Sequence, residues 1–289
     1  MPQAPDQPVA PGLHLVATPI GNLGDITLRA LSVLRQADRI LCEDTRMTGR
    51  LLARYGIATS TEPYHDHNAD RVRPAVLARL RRGERVALVS DAGTPLVSDP
   101  GYRLVRDALA EGLAVTAAPG PSAAITALIL SGLPPDVFLF AGFLPPRQAA
   151  RRRALAAWRG LDATLVLFEG PSRLAATLAD MAEVLGDRAA AVARELTKLH
   201  EEIRRGRLSE LAEHYHDAGR PRGEVVVVVG PPPAGGAAEI PDDAAIDRLL
   251  GDALARLSLR DAAVEVAEAT GLPRREVYRR ALALQRPKP

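Results

Sequence analysis

The chain has 289 residues, 47% hydrophobic and 25% charged, and its formal net charge of +2 gives no overall field that would require a nucleic-acid partner. Its single cysteine, Cys42, excludes an internal disulfide and a cysteine-based zinc site. The longest apolar run, residues 127–144, is interrupted by Pro134 and Pro135 and is too short to cross a bilayer. Residues 1–11 are polar and proline-rich, lack the features of a signal peptide and predict a disordered tail. We therefore expect a soluble cytoplasmic protein.

Residues 12–120 alternate short apolar runs with segments of helical periodicity, which predicts an N-terminal α/β domain with a mainly parallel sheet. The run 86–90 is almost wholly apolar, as expected of a strand buried on both faces. The other strands are predicted at 14–18, 39–42 and 114–117. The helices are predicted at 27–36, 48–55, 69–82 and 102–111.

A second α/β domain is predicted over residues 121–231. Ser122 is placed to cap its first helix. Strands are predicted at 138–141, 164–168, 189–194, 202–205 and 224–229. The helices that follow the first one are predicted at 147–158, 172–185 and 208–217. Residues 232–241 are rich in proline and glycine and predict a linker.

A small helical unit is predicted over residues 242–289. Ser258 with Asp261 three residues later is a capping signal for its second helix, and its last helix carries Arg274 and Arg275. This helix-turn-helix-like outline with a basic final helix favours contact with nucleic acid. Three short helices also serve as dimerisation or capping elements, and the sequence leaves both interpretations open.

Three polar loops, at 19–25, 43–46 and 91–95, follow strands of the first domain. The carboxyl ends of parallel strands share one edge of a sheet, so we expect these loops to converge on a small ligand. An ordinary β-to-α turn is the alternative for the third loop taken alone. The glycines of the first loop lack the G-x-G-x-x-G spacing and the domain has no lysine, which disfavours a phosphate cradle. The acids of the other two loops suit a cationic ligand, such as a sulfonium or ammonium group.

Seven motifs follow one another along the chain: LVATPIGNLGDITLRAL, ILCEDTR, YHDHN, SDAGTPLVSDPG, PGPSA, LFEGPS and RELTKLHEE. Together they resemble the motifs of the tetrapyrrole methylase superfamily. Within it they are similar to the branch that 2′-O-methylates a cytidine in the decoding region of 16S ribosomal RNA. The segments EDTR and SDAGTP are more specific than any glycine pattern. The chain departs mildly from the family pattern at Glu195, where the family often has aspartate.

The resemblance implies two α/β domains of the tetrapyrrole methylase type, with S-adenosyl-L-methionine bound in the cleft between them. It also implies a homodimer, no metal, and 16S rRNA or the small ribosomal subunit as partner. The residues implied to bind the cofactor are Ile20, Asp91, Gly93, Thr94, Ser122 and Ala123 from the first domain and Phe168, Ala193 and Val227 from the second.

The implied reaction benefits from a base, because a ribose hydroxyl is a weak nucleophile. The candidate bases are Glu43, Asp44, His65, His67 and Glu169, and the pair Glu43 and Asp44 is favoured because it ends a strand at the cofactor edge. The alternative is that these acids hold Arg46 or the backbone of their own loop. The candidate RNA contacts are Arg46, Lys198, Arg274 and Arg275.

Two other functions remain open on the sequence. The first is a C-methyltransferase that acts on a tetrapyrrole ring, which EDTR and the basic C-terminal unit argue against. The second is a nucleic-acid-binding regulator whose α/β body senses a small ligand without turnover. This regulator would bind a specific DNA sequence through residues 274–280.

Overall fold

A computed structural model describes residues 8–233, 243–270, 272 and 274–284. Its first domain contains a parallel five-stranded sheet in the order β3-β2-β4-β1-β5. The central position of β4 agrees with the apolar sequence of that strand. The strands are β1 (Gly12–Val16), β2 (Arg39–Cys42), β3 (Thr61–Pro63), β4 (Arg85–Val89) and β5 (Val115–Ala118).

Helices cover the faces of this sheet and bury the apolar positions that their periodicity predicts. The second of them begins at Thr45, earlier than the predicted residue 48, because the Asp44 side chain caps it by accepting a hydrogen bond from the Arg46 N–H. The helices are α1 (Leu28–Gln36), α2 (Thr45–Arg54), α3 (Ala69–Arg81) and α4 (Tyr102–Ala110).

The first domain differs from the prediction at two places. The edge strand β3 was not predicted, since three residues are too few to show an alternating pattern. The predicted disordered tail 1–11 is too long, because the Val9 N–H donates to Gln36 Oε1 at 3.0 Å and its side chain packs against the first core. Residues 1–7 lie outside the described part of the chain.

The second domain contains a mixed sheet in the order β6-β7-β10-β8-β9, with β6 and β7 parallel and the other pairs antiparallel. The strands are β6 (Phe138–Phe143), β7 (Thr164–Glu169), β8 (Ala189–Arg194), β9 (Glu202–Arg207) and β10 (Val225–Val229). Its helices are α5 (Ala123–Ser131), α6 (Gln148–Ala156), α7 (Leu174–Leu185) and α8 (Leu208–Asp217).

Strand β10 separates two cores, because its five valines are all buried and point alternately to opposite faces. Val225, Val227 and Val229 pack on the face covered by α6, α7 and α8. Val226 and Val228 pack on the other face, against α5 and Ile20 of the first domain. One face of the second sheet is therefore directed toward the first domain.

The C-terminal unit consists of α9 (Asp243–Leu254), α10 (Leu259–Thr270) and α11 (Arg274–Leu284), packed around a core of its own. The predicted cap of the second helix is confirmed, since Asp261 N donates to Ser258 Oγ at 3.2 Å. Most of the predicted linker 232–241 lies outside the described residues. No helix within the described ranges is long and apolar enough to cross a membrane.

Candidate active site in the cleft between the two sheets

A cleft of about 410 Å³ lies between the two α/β domains. This volume is in the range of small-molecule sites in proteins. The first domain contributes Ile20, Asp91, Ala92, Gly93, Thr94, Val97, Ser98 and Asp99, and the start of α5 contributes Ser122 and Ala123. The second contributes Phe143, Phe168, Glu169, Gly170, Pro171, Gly223, Glu224, Val225 and Val226.

The floor of the cleft is held by a backbone bridge between Thr18 and Gly93. Thr18 N donates to Gly93 O at 2.8 Å, and Gly93 N donates to Thr18 O at 3.0 Å. Gly93 has φ +84°, where a side chain is strained, and an added Cβ would lie 3.4 Å from Ile20 Cγ2. The bridge joins the first and third loops, which follow the adjacent strands β1 and β4.

The second loop joins the same edge through Asp91, whose Oδ1 accepts a hydrogen bond from Asp44 N at 3.0 Å. Thr94 Oγ1 donates to Pro121 O at 3.3 Å and ties the third loop to the segment that precedes Ser122. The Ser122 side chain caps α5, as predicted. The predicted convergence of the three loops is therefore observed.

The segment 96–101 runs along the cleft in a strained conformation. Leu96 and Ser98 have φ of 73° and 63°, although neither is glycine. Such conformations cost on the order of 1–3 kcal/mol each and are concentrated at functional sites. A Cβ at Gly142 of β6 would lie 3.0 Å from Ser98 Oγ, so this segment also touches the second domain.

Aromatic rings form the second-domain wall. Phe168 lies with its ring centroid 5.0 Å from that of Phe140 and 5.5 Å from that of Phe143. Buried Glu169 accepts hydrogen bonds from Gly170 N and Thr177 Oγ1. It also forms an ion pair with Arg173. Glu169 thus supports the glycine loop and has its oxygens committed to these partners.

Seven of the nine predicted cofactor residues line the cleft: Ile20, Asp91, Gly93, Thr94, Ser122, Ala123 and Phe168. Ala193 lies next to Val226 in the sheet but is only 1% exposed, in the core beneath the cleft. Val227 is on the opposite face, and its neighbours Val225 and Val226 line the cleft instead. The Val227 side chain packs in the core on the face covered by α6, α7 and α8, so it does not line the cleft.

Lys198 joins the two walls. Its aliphatic chain lies against Gly21, where an added Cβ would be 2.5 Å from Lys198 Cγ. Its Nζ bonds Glu195 Oε1 at 2.9 Å and Glu224 Oε2 at 3.1 Å. Glu224 lines the cleft, and Gly21 follows Ile20, which lines it from the other side. The Lys198 ammonium group, for which contact with an RNA phosphate was predicted, binds two carboxylates here.

The segment around Lys198 has a backbone shaped for this contact. Glu195 and Thr197 have φ of 49° and 66°, and the Glu195 carboxyl fills the space beside Gly223, another cleft residue. Thr197 N donates to Glu201 Oε2 at 2.7 Å. We conclude that these ion pairs, which lie within the second domain, hold Lys198 where its aliphatic chain packs on Gly21 of the first-domain wall.

A group of carboxylates stands at the first-domain side of the cleft. It comprises Glu43, Asp66, Asp91 and Asp99, with His65 close to Glu43. Burial, followed by repulsion from Asp91 and Asp66, raises the pKa of Glu43. Burial, with repulsion from Glu43 as the next contribution, raises the pKa of Asp99 to about 6. The structure therefore adds Asp66 and Asp99 to the residues that the sequence analysis had singled out.

Asp44 has a different environment from Glu43, although the two are adjacent. Its carboxylate binds the Arg46 guanidinium and the Arg46 N–H, which lower its pKa to about 2. Such a carboxylate is a poor proton acceptor near neutral pH. The geometry therefore supports a structural role for Asp44, which holds Arg46 in an ion pair.

His65 is half-buried at the start of the turn that leads into α3. The backbone N–H of His65 donates to Asn68 Oδ1 at 2.9 Å, and the buried ring atom Nδ1 has no hydrogen-bond partner. No group of His, Cys, Asp and Glu side chains in the described ranges is arranged to hold a metal ion.

Arg274 and Arg275 lie far along the chain, in the C-terminal unit. Both are exposed at the start of α11, where they line an open depression. Arg260, Ala263, Val264 and Tyr278 complete its lining. An exposed tyrosine among arginines offers ring stacking beside phosphate contacts, a combination suited to nucleic acid.

Comparison with known families identifies both parts of the chain. Residues 12–212 match the family Tetrapyrrole (Corrin/Porphyrin) Methylases. The chain belongs to the tetrapyrrole methylase family. It is therefore a methyltransferase, and S-adenosyl-L-methionine is its methyl donor. Residues 240–285 match the RsmI C-terminal HTH domain. The resemblance seen in the sequence motifs is confirmed.

Two relatives are similar over nearly their whole length. Ribosomal RNA small subunit methyltransferase I of Mesorhizobium japonicum is 52% identical, over 98% of this chain and 95% of the relative. The protein of the same name from Escherichia coli O157:H7 is 45% identical, over 94% and 95%.

Two solved structures share the fold of the two α/β domains. The methyltransferase CobJ has a TM-score of 0.59 and 19% identity, over 76% of this chain and 94% of that one. Uroporphyrin-III C-methyl transferase from Thermus thermophilus, complexed with S-adenyl homocysteine, has a TM-score of 0.53 and 22% identity, over 76% and 97%.

We predict that Lys198→Met weakens the binding of S-adenosylhomocysteine by about fivefold, because a partly exposed ion pair contributes about 1 kcal/mol. The methionine keeps the packing on Gly21 and removes only the charge. Calorimetric titration measures the affinity. Arg204→Met, which removes an exposed cation on β9, is the control and should bind as the wild type does. Unchanged affinity of Lys198→Met, with a reduced salt dependence of RNA binding, would favour phosphate contact instead.

Proposed function

We propose that this protein transfers a methyl group from S-adenosyl-L-methionine to 16S ribosomal RNA, at the 2′-oxygen of a cytidine in the decoding region. The observation that carries the proposal is the similarity of both parts of the chain, the α/β body and the C-terminal unit, to small-subunit rRNA methyltransferases. The cytidine and its oxygen come from the motif resemblance.

The cleft has the chemistry that such a cofactor needs. Asp91 supplies negative charge for a sulfonium or ammonium group, and Phe168 with Ile20 supplies apolar surface. Gly93 leaves the backbone open to close approach. We assign the cofactor to this cleft, with Val225 and Val226 in the places that the sequence analysis gave to Ala193 and Val227. The bound cofactor supplies an electrophilic methyl group.

The protein residues position the cofactor and the nucleophile and provide the charge that the reaction needs. The Thr18–Gly93 bridge holds the first-domain wall, and Lys198, held by its ion pairs, packs on Gly21 from the second domain, so that a hydroxyl can be presented in line with the methyl group. The cluster of acidic residues that contains Glu43, with His65 beside it, supplies the acceptor for the hydroxyl proton. Asp44 keeps its role as the cap of α2.

The C-terminal unit provides the RNA contact in this proposal. Arg274 and Arg275 bind phosphates, and Tyr278 is placed to stack on a base. Arg46 is 87% exposed at the side chain and remains a candidate for a further contact. The proposed substrate places the protein in the cytoplasm, where ribosomal subunits are found.

We also propose that the protein is a homodimer. Helix α5 presents Ile125 and Ile129 to solvent one turn apart, with exposed fractions of 44% and 68%, and Leu28 of α1 is 62% exposed. Exposed apolar side chains of this size are typical of a protein interface. A second copy of the chain is the occupant that we propose for this surface.

The two alternatives have less support. The tetrapyrrole enzymes in the comparison match about three quarters of this chain, at identities that indicate the fold alone. A regulator that binds DNA without turnover gives no account of the similarity of the whole chain to named methyltransferases.

The direct test is methyl transfer from labelled S-adenosylmethionine to small ribosomal subunits from cells that lack the protein. The expected product after digestion is labelled 2′-O-methylcytidine. Label on another nucleoside would refute the assigned target. Absence of label in RNA, with cofactor binding intact and transfer to a porphyrin or corrin ring, would favour the tetrapyrrole alternative.

We predict that the double substitution Arg274→Ala and Arg275→Ala weakens RNA binding and lowers the salt dependence of log K by about 1–2. The reason is that each lost phosphate contact releases about one counterion fewer. Filter binding across a salt series measures the slope. Arg81→Ala with Arg82→Ala removes the same charge from the end of α3 and should leave the slope unchanged. Equal slopes for the wild type and the α11 variant would exclude these two arginines from the interface.

A further inference from the structure

Asp99 differs from the other acids at the cleft in its position. It lines the cleft and is half-buried, whereas Glu43 is more exposed and is not part of the lining. Asp91 also lines the cleft, but its Oδ1 accepts the Asp44 N–H and braces the second loop. Asp99 is therefore the carboxylate best placed to meet a hydroxyl group brought to the cofactor.

The loop around Asp99 holds it in place from both sides. Gly101, with φ +129°, packs so closely that an added Cβ would lie 2.7 Å from Leu88 Cδ2 and 3.0 Å from Leu96 Cδ1. On the other side, Ser98 reaches β6 of the second domain at Gly142. These contacts hold the chain on both sides of Asp99, and a fixed position for the acceptor is what proton transfer requires.

The surroundings of Asp99 favour proton uptake near neutral pH. Burial is the first cause of its raised pKa, and the charges that face it are Glu43 after β2, Asp91 after β4 and Asp66 before α3. The nearby Ser90 side chain acts in the opposite direction. A carboxyl with a pKa of about 6 is ionised at neutral pH and is a much stronger base than an ordinary aspartate.

We propose that Asp99 is the catalytic residue that accepts the proton of the RNA hydroxyl group during methyl transfer, which rests on the proposed function. The oxygen–carbon bond forms as the carbon–sulfur bond breaks, and the electron pair of that bond stays on sulfur. The hydroxyl proton passes to a carboxylate oxygen of Asp99 and then to water. Glu43 acts on this step through its charge.

The test is the pH–rate profile of Asp99→Asn under single-turnover conditions, with saturating cofactor and ribosomal subunits. The wild-type rate should rise tenfold per pH unit below about pH 6 and level off above it. Asp99→Asn should lose about 10²- to 10⁴-fold at the plateau and the pH dependence with it. Its affinity for S-adenosylhomocysteine should stay within a few-fold of the wild type. Asp162→Asn, an exposed acid just before β7, should behave as the wild type.

A second variant keeps the test decisive if Asp99→Asn does not fold. Glu43→Gln removes the like charge that contributes most, after burial, to the raised pKa of Asp99, so the midpoint of the profile should move to lower pH. An unchanged midpoint would overturn the proposal, and so would an Asp99→Asn variant that is slow but keeps the wild-type midpoint. If the wild type itself puts no label into RNA, the proposed function fails instead, and the two failures are distinct.

Discussion

The short backbone bridge between Thr18 and Gly93 is the interaction on which the site depends. It pairs residues shortly beyond the ends of the neighbouring parallel strands β1 and β4, and it holds both loops at the edge where ligands bind in α/β sheets. The buried hydroxyls of the same loops reinforce it, since Thr18 Oγ1 donates to Ser90 O and Ser90 Oγ donates to Gly93 O. Glycine is needed at position 93 because the bridge bends the chain to a positive φ.

Residues next to this bridge contact the second domain. Ile20 follows the bridged segment and packs into the core of α5 and the second sheet, and Gly21 receives the chain of Lys198. The strained Ser98 makes the corresponding contact on the other side of the cleft. Two domains with separate cores are thereby joined at the cleft itself, so cofactor affinity and domain position are coupled.

The sequence predicts the fold well where the pattern is strong, as in β4, β10 and the cap at Ser122, and the motif order identifies the family. It does not predict the face of Val227, because a run of five valines has no alternation to set the register. Nor does it predict that Arg151 is buried, at 5% exposure, in an ion pair with Asp180, since the partner lies on another helix.

Partners that are distant in sequence also explain which features of the site the sequence analysis did not predict. Asp99 stands in a motif that the sequence analysis quoted, but its raised pKa comes first from burial and then from the charge of Glu43, which is distant in sequence and is brought close by the fold. Lys198 was notable as a lysine among arginines, yet its partner Glu224 follows it by 26 positions and carries no motif. Electrostatic environments of this kind arise only from tertiary contacts.

The most direct test of the account is a titration of S-adenosylhomocysteine into two glycine variants. Gly93→Val and Gly83→Val impose the same backbone strain, at φ +84° and +79°, but only Gly93 lies in the cleft, and nothing stands within 4 Å of a Cβ at Gly83. The account predicts that both variants lose stability and that only Gly93→Val loses measurable binding. Binding retained by a folded Gly93→Val, or lost equally in both, would contradict the placement of the cofactor in this cleft.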